Sequence, residues 1–223
     1  MKNHIVFFGY TSAAQAAIEE LRLDSDENNF IIVTKNKVPH ENDIQHYEMD
    51  FLNIKNIRDR KLSLSNCKIC VVFSEFHDND DARIVDMNTV LTVYNIKKEF
   101  PDIHIISEII DTENTTIIKD LNCDDIIYKE TLDASLIVNS ILHPNISSIF
   151  YDLLTNKGKV LNEIILKDTI LKNNQKNSFK EVRELGLEMD CTFIGYIGPD
   201  KKSVLMPKNS EILENDSRLI YIE

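Results

Sequence analysis

Short apolar runs separated by helical stretches fill the first 130 residues, and no other feature restricts the fold as much. The runs are 4–8, 30–33, 47–51, 69–73, 104–106 and 126–128. Two of them, His4-Ile5-Val6-Phe7-Phe8 and Phe30-Ile31-Ile32-Val33, are almost unbroken, as strands become when both faces of their sheet are covered. The stretches between them have helical spacing. Residues 11–21 read as a helix capped by Thr11 or Ser12. Residues 82–100 place apolar side chains at Ile84, Val85, Met87, Val90, Leu91, Val93, Tyr94 and Ile96, and Pro101 closes them. Residues 112–121 form a third helix. Strands alternating with helices predict an α/β fold: a Rossmann-like, doubly wound parallel sheet with right-handed crossovers.

The pattern then changes. Residues 132–142 and 146–154 are helical on either side of His143-Pro144, a helical hairpin of the packing kind. No basic residue occurs from 132 to 155, so the hairpin suits a protein contact and not DNA. Asn156-Lys157-Gly158-Lys159 reads as a linker. Short strands at 160–166, 191–197, 203–206 and 219–222, with a turn at Gly198-Pro199-Asp200, predict a small, mostly β lobe of α+β type. The expected organisation is a Rossmann-like lobe over 1–130, the hairpin over 131–156 and a C-terminal lobe over 157–223.

Charge and cysteine usage exclude several classes. With 37 acidic against 25 basic residues the net charge is −12, which opposes nucleic-acid binding and leaves attraction of cations open. No run of eighteen apolar residues crosses a bilayer, and the N-terminus has no signal-peptide pattern. Cys67-Lys68-Ile69-Cys70 is formally a CxxC, but no second pair or nearby His completes a zinc set. It enters a strand, whereas redox motifs of this kind sit at helix N-termini, so reduced thiols in a cytoplasm are expected.

The carboxyl ends of the strands hold the candidate ligand residues. The first turn, Gly9-Tyr10-Thr11-Ser12-Ala13-Ala14, keeps the first glycine of a dinucleotide fingerprint and has Thr11 and Ala14 for the other two. Strand two ends in Thr34-Lys35-Asn36 and lacks the acidic residue that holds a ribose. Gly9, Tyr10, Thr11, Ser12, Thr34, Lys35, Asp50 and Ser74 are therefore the candidate nucleotide-contacting set, with standard NAD binding disfavoured. Glu108 follows an apolar strand directly, and the loop Ser74-Glu75-Phe76-His77-Asp78-Asn79-Asp80-Asp81 is strongly acidic. Glu108, Glu75 and Asp78 form a candidate divalent-cation set, although a loop this acidic is equally a solvated one. Asp111, Thr112 and Glu113 fit the start of the next helix as cap and dipole partner. No G-x-S-x-G elbow or H-E-x-x-H occurs, and the six histidines are scattered, so the chain is not expected to be an enzyme.

The middle of the sequence carries a resemblance. Asp81-Ala82-Arg83, a long helix, Phe100-Pro101-Asp102-Ile103, Ile106-Ser107-Glu108, Asp111-Thr112-Glu113-Asn114 and Leu121-Asn122-Cys123-Asp124-Asp125-Ile126-Ile127 follow one another as in channel-type RCK domains (regulators of K+ conductance, TrkA-N plus TrkA-C). The last segment has Asn-Cys-Asp where Gly-Ala-Asp is usual. Phe193-Ile194-Gly195-Tyr196, Met206-Pro207 and the segment 214–222 resemble the family's C-lobe. The resemblance implies a homodimer through the hairpin, an octameric ring under a membrane K+ pore at the cytoplasmic face, and gating by a ligand in the crevices. The alternative it implies is a soluble nucleotide-binding subunit of a K+ uptake transporter. On the channel reading, transmembrane helices are expected ahead of Met1. Some members bind Ca2+ and others adenine nucleotides. In one Ca2+-gated version Glu108 matches the first of two glutamates, while the second falls on Ile110.

Overall fold

The computed structural model describes residues 4–24, 29–37, 44–75, 80–129, 131–155, 161–173 and 177–223. The chain divides into two compact units, Met1–Leu142 and His143–Glu223. In the first, β1 (His4–Phe8) leads through α1 (Ser12–Asp24) to β2 (Phe30–Thr34) and β3 (Gln45–Glu48). A short α2 (Ile54–Ile57) precedes β4 (Cys67–Val72), followed by α3 (Ala82–Glu99), β5 (His104–Ile109), α4 (Thr115–Asp120), β6 (Asp125–Tyr128) and α5 (Thr131–Leu142). The six strands pair in parallel in the order β3-β2-β1-β4-β5-β6. That order reverses between β1 and β4, and the reversal opens a crevice at the carboxyl ends of those strands.

Every residue of β1 and β2 is buried, which explains their unbroken apolar character. Val6, Phe8, Ile31, Val33, Cys70 and Val72 point to the face covered by Val93 and Ile96 of α3. Ile5, Phe7, Phe30 and Ile32 point to the other face, covered by Ile18 of α1. At the start of β4 the register slips: His4 faces Cys67, whereas Ile5 faces Ile69, so β4 carries an extra residue there.

Two elements differ from the sequence expectation. The third strand ends at Glu48; Met49 N still donates to Thr34 O at 2.8 Å, and the chain then leaves the sheet. The Asp50 carboxylate accepts from Leu52 N at 3.1 Å and Asn53 caps α2, so local side-chain bonds outcompete the ladder. The helix expected over 112–121 opens as a 3-10 turn, Thr112–Asn114, before α4.

The second unit holds α6 (Ile146–Leu154), β7 (Leu161–Ile165), β8 (Asn177–Ser178), α7 (Phe179–Glu188), β9 (Thr192–Ile197), β10 (Ser203–Leu205), β11 (Ile212–Leu213) and β12 (Arg218–Ile222). Its main sheet is antiparallel in the order β10-β9-β12-β7, and β8 pairs with β11. The lobe is less purely β than its strands predict, because α7 contributes three of the seven buried residues of its core. Phe179, Val182 and Leu185 pack on Leu166, Phe193, Leu213 and Leu219. The start of α7 is a capping box, with Ser178 N donating to Glu181 Oε2 at 2.7 Å and Ser178 Oγ accepting from Glu181 N. The S-x-x-E spacing at 178–181 is the sequence signal for it. Gly186 lets the helix approach the next strand, since a Cβ there would lie 2.8 Å from the Cys191 carbonyl.

The turn into β6 is held by charge. Lys97 Nζ lies 2.9 Å from Asp124 Oδ2 and donates to the Ile103 carbonyl at 2.8 Å, and the same carboxylate oxygen accepts from Ile105 N at 3.0 Å. Both side chains are nearly buried. Lys97→Met should therefore cost about 3 kcal/mol by leaving Asp124 buried without its cation. Urea unfolding measures this, and a loss below about 1 kcal/mol would mean that the pair behaves as a solvated one.

Candidate ligand crevice

The Gly9 turn joins β1 to α1. Gly9 has φ +95°, a conformation that favours glycine, and its N–H donates to Val33 O at 2.9 Å. In a dinucleotide site the amides after this glycine meet a pyrophosphate. Here Tyr10 N donates to Glu75 Oε1 at 3.2 Å. A Cβ on Gly9 would meet Glu75 Cγ at 3.1 Å, so the glutamate side chain lies directly over the turn. Further along, Thr11 Oγ1 accepts from Ala14 N at 3.3 Å and caps α1. The chain's own carboxylate thus holds the first amide after Gly9.

The end of β2 is tied inward. Thr34 is buried, its hydroxyl donating to Asn36 O at 2.7 Å and lying 2.6 Å from His46 Nε2. Lys35 Nζ sits 5.5 Å above the centre of the Phe51 ring, a cation–π contact. Lys35, Phe51, Val72, Glu75, Asn88 and Thr89 line a cavity of about 50 Å³. Ligand sites for drug-sized molecules occupy about 300 Å³ or more, so this cavity takes a water or an ion and not an adenine ring.

Glu108, at the end of β5, is only 7% exposed. Its Oε2 accepts from Ser74 N at 3.0 Å, and its carbonyl accepts from Ser74 Oγ at 2.8 Å. Glu108 and Ser74 therefore clasp the ends of two neighbouring strands. Beside them stands Asp86, fully buried on α3. Asp86 Oδ1 accepts from Ile110 N at 2.9 Å, and Oδ2 accepts from Asp111 N at 2.9 Å and from Asn114 Nδ2 at 2.8 Å. Three donors converge on one carboxylate and fix the loop after β5.

No family model and no curated protein matches this sequence. The likeness to known proteins lies in three dimensions. The human SLO3 gating ring superposes with a TM-score of 0.69 at 16% identity, over 100% of this chain and 44% of that one. The GsuK channel bound to NAD gives 0.53 at 18% identity, over 99% of this chain and 36% of that one. The GsuK RCK domain gives 0.50 at 18% identity, over 99% and 44%. The fold is that of an RCK domain. This chain spans less than half the length of each of these structures. At such low identity the likeness speaks for fold alone.

Within this RCK fold the expected nucleotide residues divide into two groups. Gly9, Tyr10, Thr11 and Ser12 form the first turn, and Lys35 lines the same small cavity as Glu75. Thr34, Asp50 and Ser74 spend their side chains on neighbours in the chain. Of the expected metal set, Glu75 and Glu108 lie at the ends of strands at the crevice, each holding a backbone N–H, and Asp78 lies outside the described residues. Among the described residues no group of three or more His, Cys, Asp or Glu is placed to hold a metal. Asp111 accepts from Glu113 N at 2.9 Å as a cap, as expected. Asp86 was missed; its signal is one carboxylate on the inward stripe of a helix otherwise lined by Val85, Val90, Val93 and Ile96. A broader depression of about 810 Å³ beside the loop after β5, bordered by Ile110, Asp111, Thr112, Ser135, Val138 and Asn139, has no counterpart in the sequence reading.

Asp86→Asn places an amide N–H₂ against backbone donors. It should cost about 2 kcal/mol and accelerate hydrogen exchange at the Ile110 and Asp111 amides above all others. Unchanged exchange at those two amides would show that the loop holds without Asp86.

Proposed function

We propose that the chain is the cytosolic, non-enzymatic sensing domain of a K+ channel, assembling with its own copies into a ring and coupling a small ligand in the crevice to a membrane pore. The observation that carries this reading is the pair of unsatisfied apolar surfaces on an otherwise acidic molecule. On α5, Leu132, Ile137, Val138, Ile141 and Leu142 are all more than half exposed, and on α6 Ile149, Tyr151 and Leu154 are too. Each helix carries a single charge, Asp133 and Asp152. A second stripe runs along the outer side of α3, where Ile84, Met87, Leu91 and Tyr94 recur at helical spacing and are 41% exposed or more. Apolar surfaces of this kind mark association sites, and two separate ones on each copy generate closed rings when the rotation closes. The likeness of the fold to the SLO3 gating ring supports the same arrangement.

The crevice supports a cation in preference to a dinucleotide. A small cavity there is bordered by Glu75, the Tyr10 amide is already held by that carboxylate, and no acidic residue ends β2. Glu108, with Glu75 and Asp78, is the proposed divalent set, and Ca2+ or Mg2+ its proposed ligand. A ligand that prefers one ring geometry by a few kcal/mol shifts the population of pore states.

Two experiments test this reading. Phe150→Asp on α6 should convert the assembled species to smaller ones in light scattering, and an unchanged mass would show that the α5 and α6 helices are not the interface. In a thermal-shift series Ca2+ or Mg2+ should stabilise the wild type, by about 2.7 kcal/mol at a hundred times its Kd, with the effect weakened in Glu108→Gln. Stabilisation by NAD+, ATP or AMP instead would overturn the cation reading and favour a nucleotide-binding subunit of a K+ transporter.

A further inference from the structure

Cys67 and Cys70 stand apart from everything the crevice uses. A regular strand sends residues three apart to opposite faces of its sheet. The extra residue at the start of β4 cancels that, so Cys67 and Cys70 both pack on the face that also carries Val6 and Val72. Their sulfurs are 3.9 Å apart. On the partner strand the pair spans only the two steps from His4 to Val6, a rise of about 6.6 Å at the usual strand pitch. That lies at the upper edge of the Cα separation a disulfide accepts, up to about 6.8 Å. A bridge here is stretched, and stretched bridges are the readily reduced ones.

Access and chemistry distinguish the two thiols. Cys70 is fully buried, whereas Cys67 is half-buried at the edge of a surface hollow of about 370 Å³ bordered by Leu64, Ser65, Glu99, Phe100 and Pro101. In the reduced pair the Cys67 thiol lies 3.3 Å from the His4 carbonyl and 3.1 Å from that of Ile69, and Cys70 is placed to donate to the Cys67 sulfur. The hydrogen bond from Cys70 draws the Cys67 thiol below its ordinary value, while burial pushes Cys70 well above it. Burial raises Cys123 to about 11 and also raises Cys191, so Cys67 is the thiol of the four with the greatest nucleophile fraction near neutrality.

The geometry points to Cys67 and Cys70 as a reversible dithiol–disulfide site, with Cys67 the attacking sulfur and Cys70 the resolving one. The oxidant is a low-molecular-weight disulfide that enters by the hollow. Cys67 loses its proton and attacks one sulfur of the oxidant. The oxidant's S–S bond breaks, and the departing thiolate takes up the proton. Cys70 then loses its proton and attacks the Cys67 sulfur of the mixed disulfide, releasing the second small thiol. Two protein thiols are oxidised to one bridge, and one small disulfide is reduced to two thiols. The CxxC therefore does enter a strand, as its sequence context requires, and the slipped register supplies the proximity that a helix N-terminus gives elsewhere.

Lys68 between the two cysteines makes the test direct. The whole chain is equilibrated in oxidised and reduced glutathione, quenched in acid, alkylated and cut with trypsin without reduction. Trypsin cuts after Lys68, so the peptides on either side stay joined only if the bridge has formed. The expected result is a joined pair in oxidising buffer that separates after dithiothreitol. Cys70→Ser should stop with glutathione attached to Cys67, and Cys67→Ser should leave Cys70 as a thiol. The proposal fails if the wild type stops at a glutathione adduct on Cys67, or if Cys67 and Cys70 are both alkylated while Cys123 or Cys191 is oxidised.

Discussion

Strand β1 is buried from His4 to Phe8, and the first unit is organised about it. It pairs in parallel with β2 on one side and β4 on the other. Because the chain winds outward in both directions from this strand, the carboxyl ends of β1 and β4 separate helices that lie on opposite faces of the sheet. The crevice is a consequence of that reversal and needs no special residue to form. What the residues decide is what the crevice can hold. Glu75, delivered by the end of β4, reaches the amide of Tyr10, and one carboxylate changes an anion-binding turn into an occupied one.

Buried carboxylates act throughout this unit as fasteners for backbone. Glu108 holds the Ser74 amide, Asp86 holds the amides of Ile110 and Asp111, and Asp124 holds the amide of Ile105. The donors held by Glu108 and Asp86 lie just past β4 and β5, where the backbone leaves the ladder, and Asp124 meets an amide near the start of β5. A charged acceptor meets several such donors at once, which an amide or hydroxyl does not. The loops around the crevice are thereby fixed from beneath. The apolar outer stripes of α3, α5 and α6 contrast with this. Their apolar side chains stay exposed among the described residues, whereas the buried carboxylates are each engaged by backbone.

The unbroken apolar runs at 4–8 and 30–33 announced a doubly covered parallel sheet, and the long amphipathic stretch before Pro101 announced α3. The same reading carried the strand past Glu48, because Phe51 is apolar and the bonds of Asp50 and Asn53 to nearby amides leave no periodic trace. It passed over α7, whose S-x-x-E box lies in a polar stretch with only moderate apolar spacing. The place of Gly9, Glu75 and Glu108 at the strand ends was legible because each lies at or just after an apolar run. Asp86 was not, since in sequence it is one acidic residue among many.

The sequence by itself determined the six strands of the first unit to within a few residues, that their sheet is parallel, and that its strand ends would carry carboxylates in place of a full glycine fingerprint. These follow from local periodicity and from the backbone freedom that only particular residues provide. Tertiary structure decided the partners of those groups. Glu75 is 65 residues from Tyr10, Glu108 is 34 from Ser74, and both pairs meet only once the strands are laid side by side. It also decided that two cysteines three apart in a strand would share a face, because a slip in register between β1 and β4 is a property of the pair of strands and is written in neither one alone.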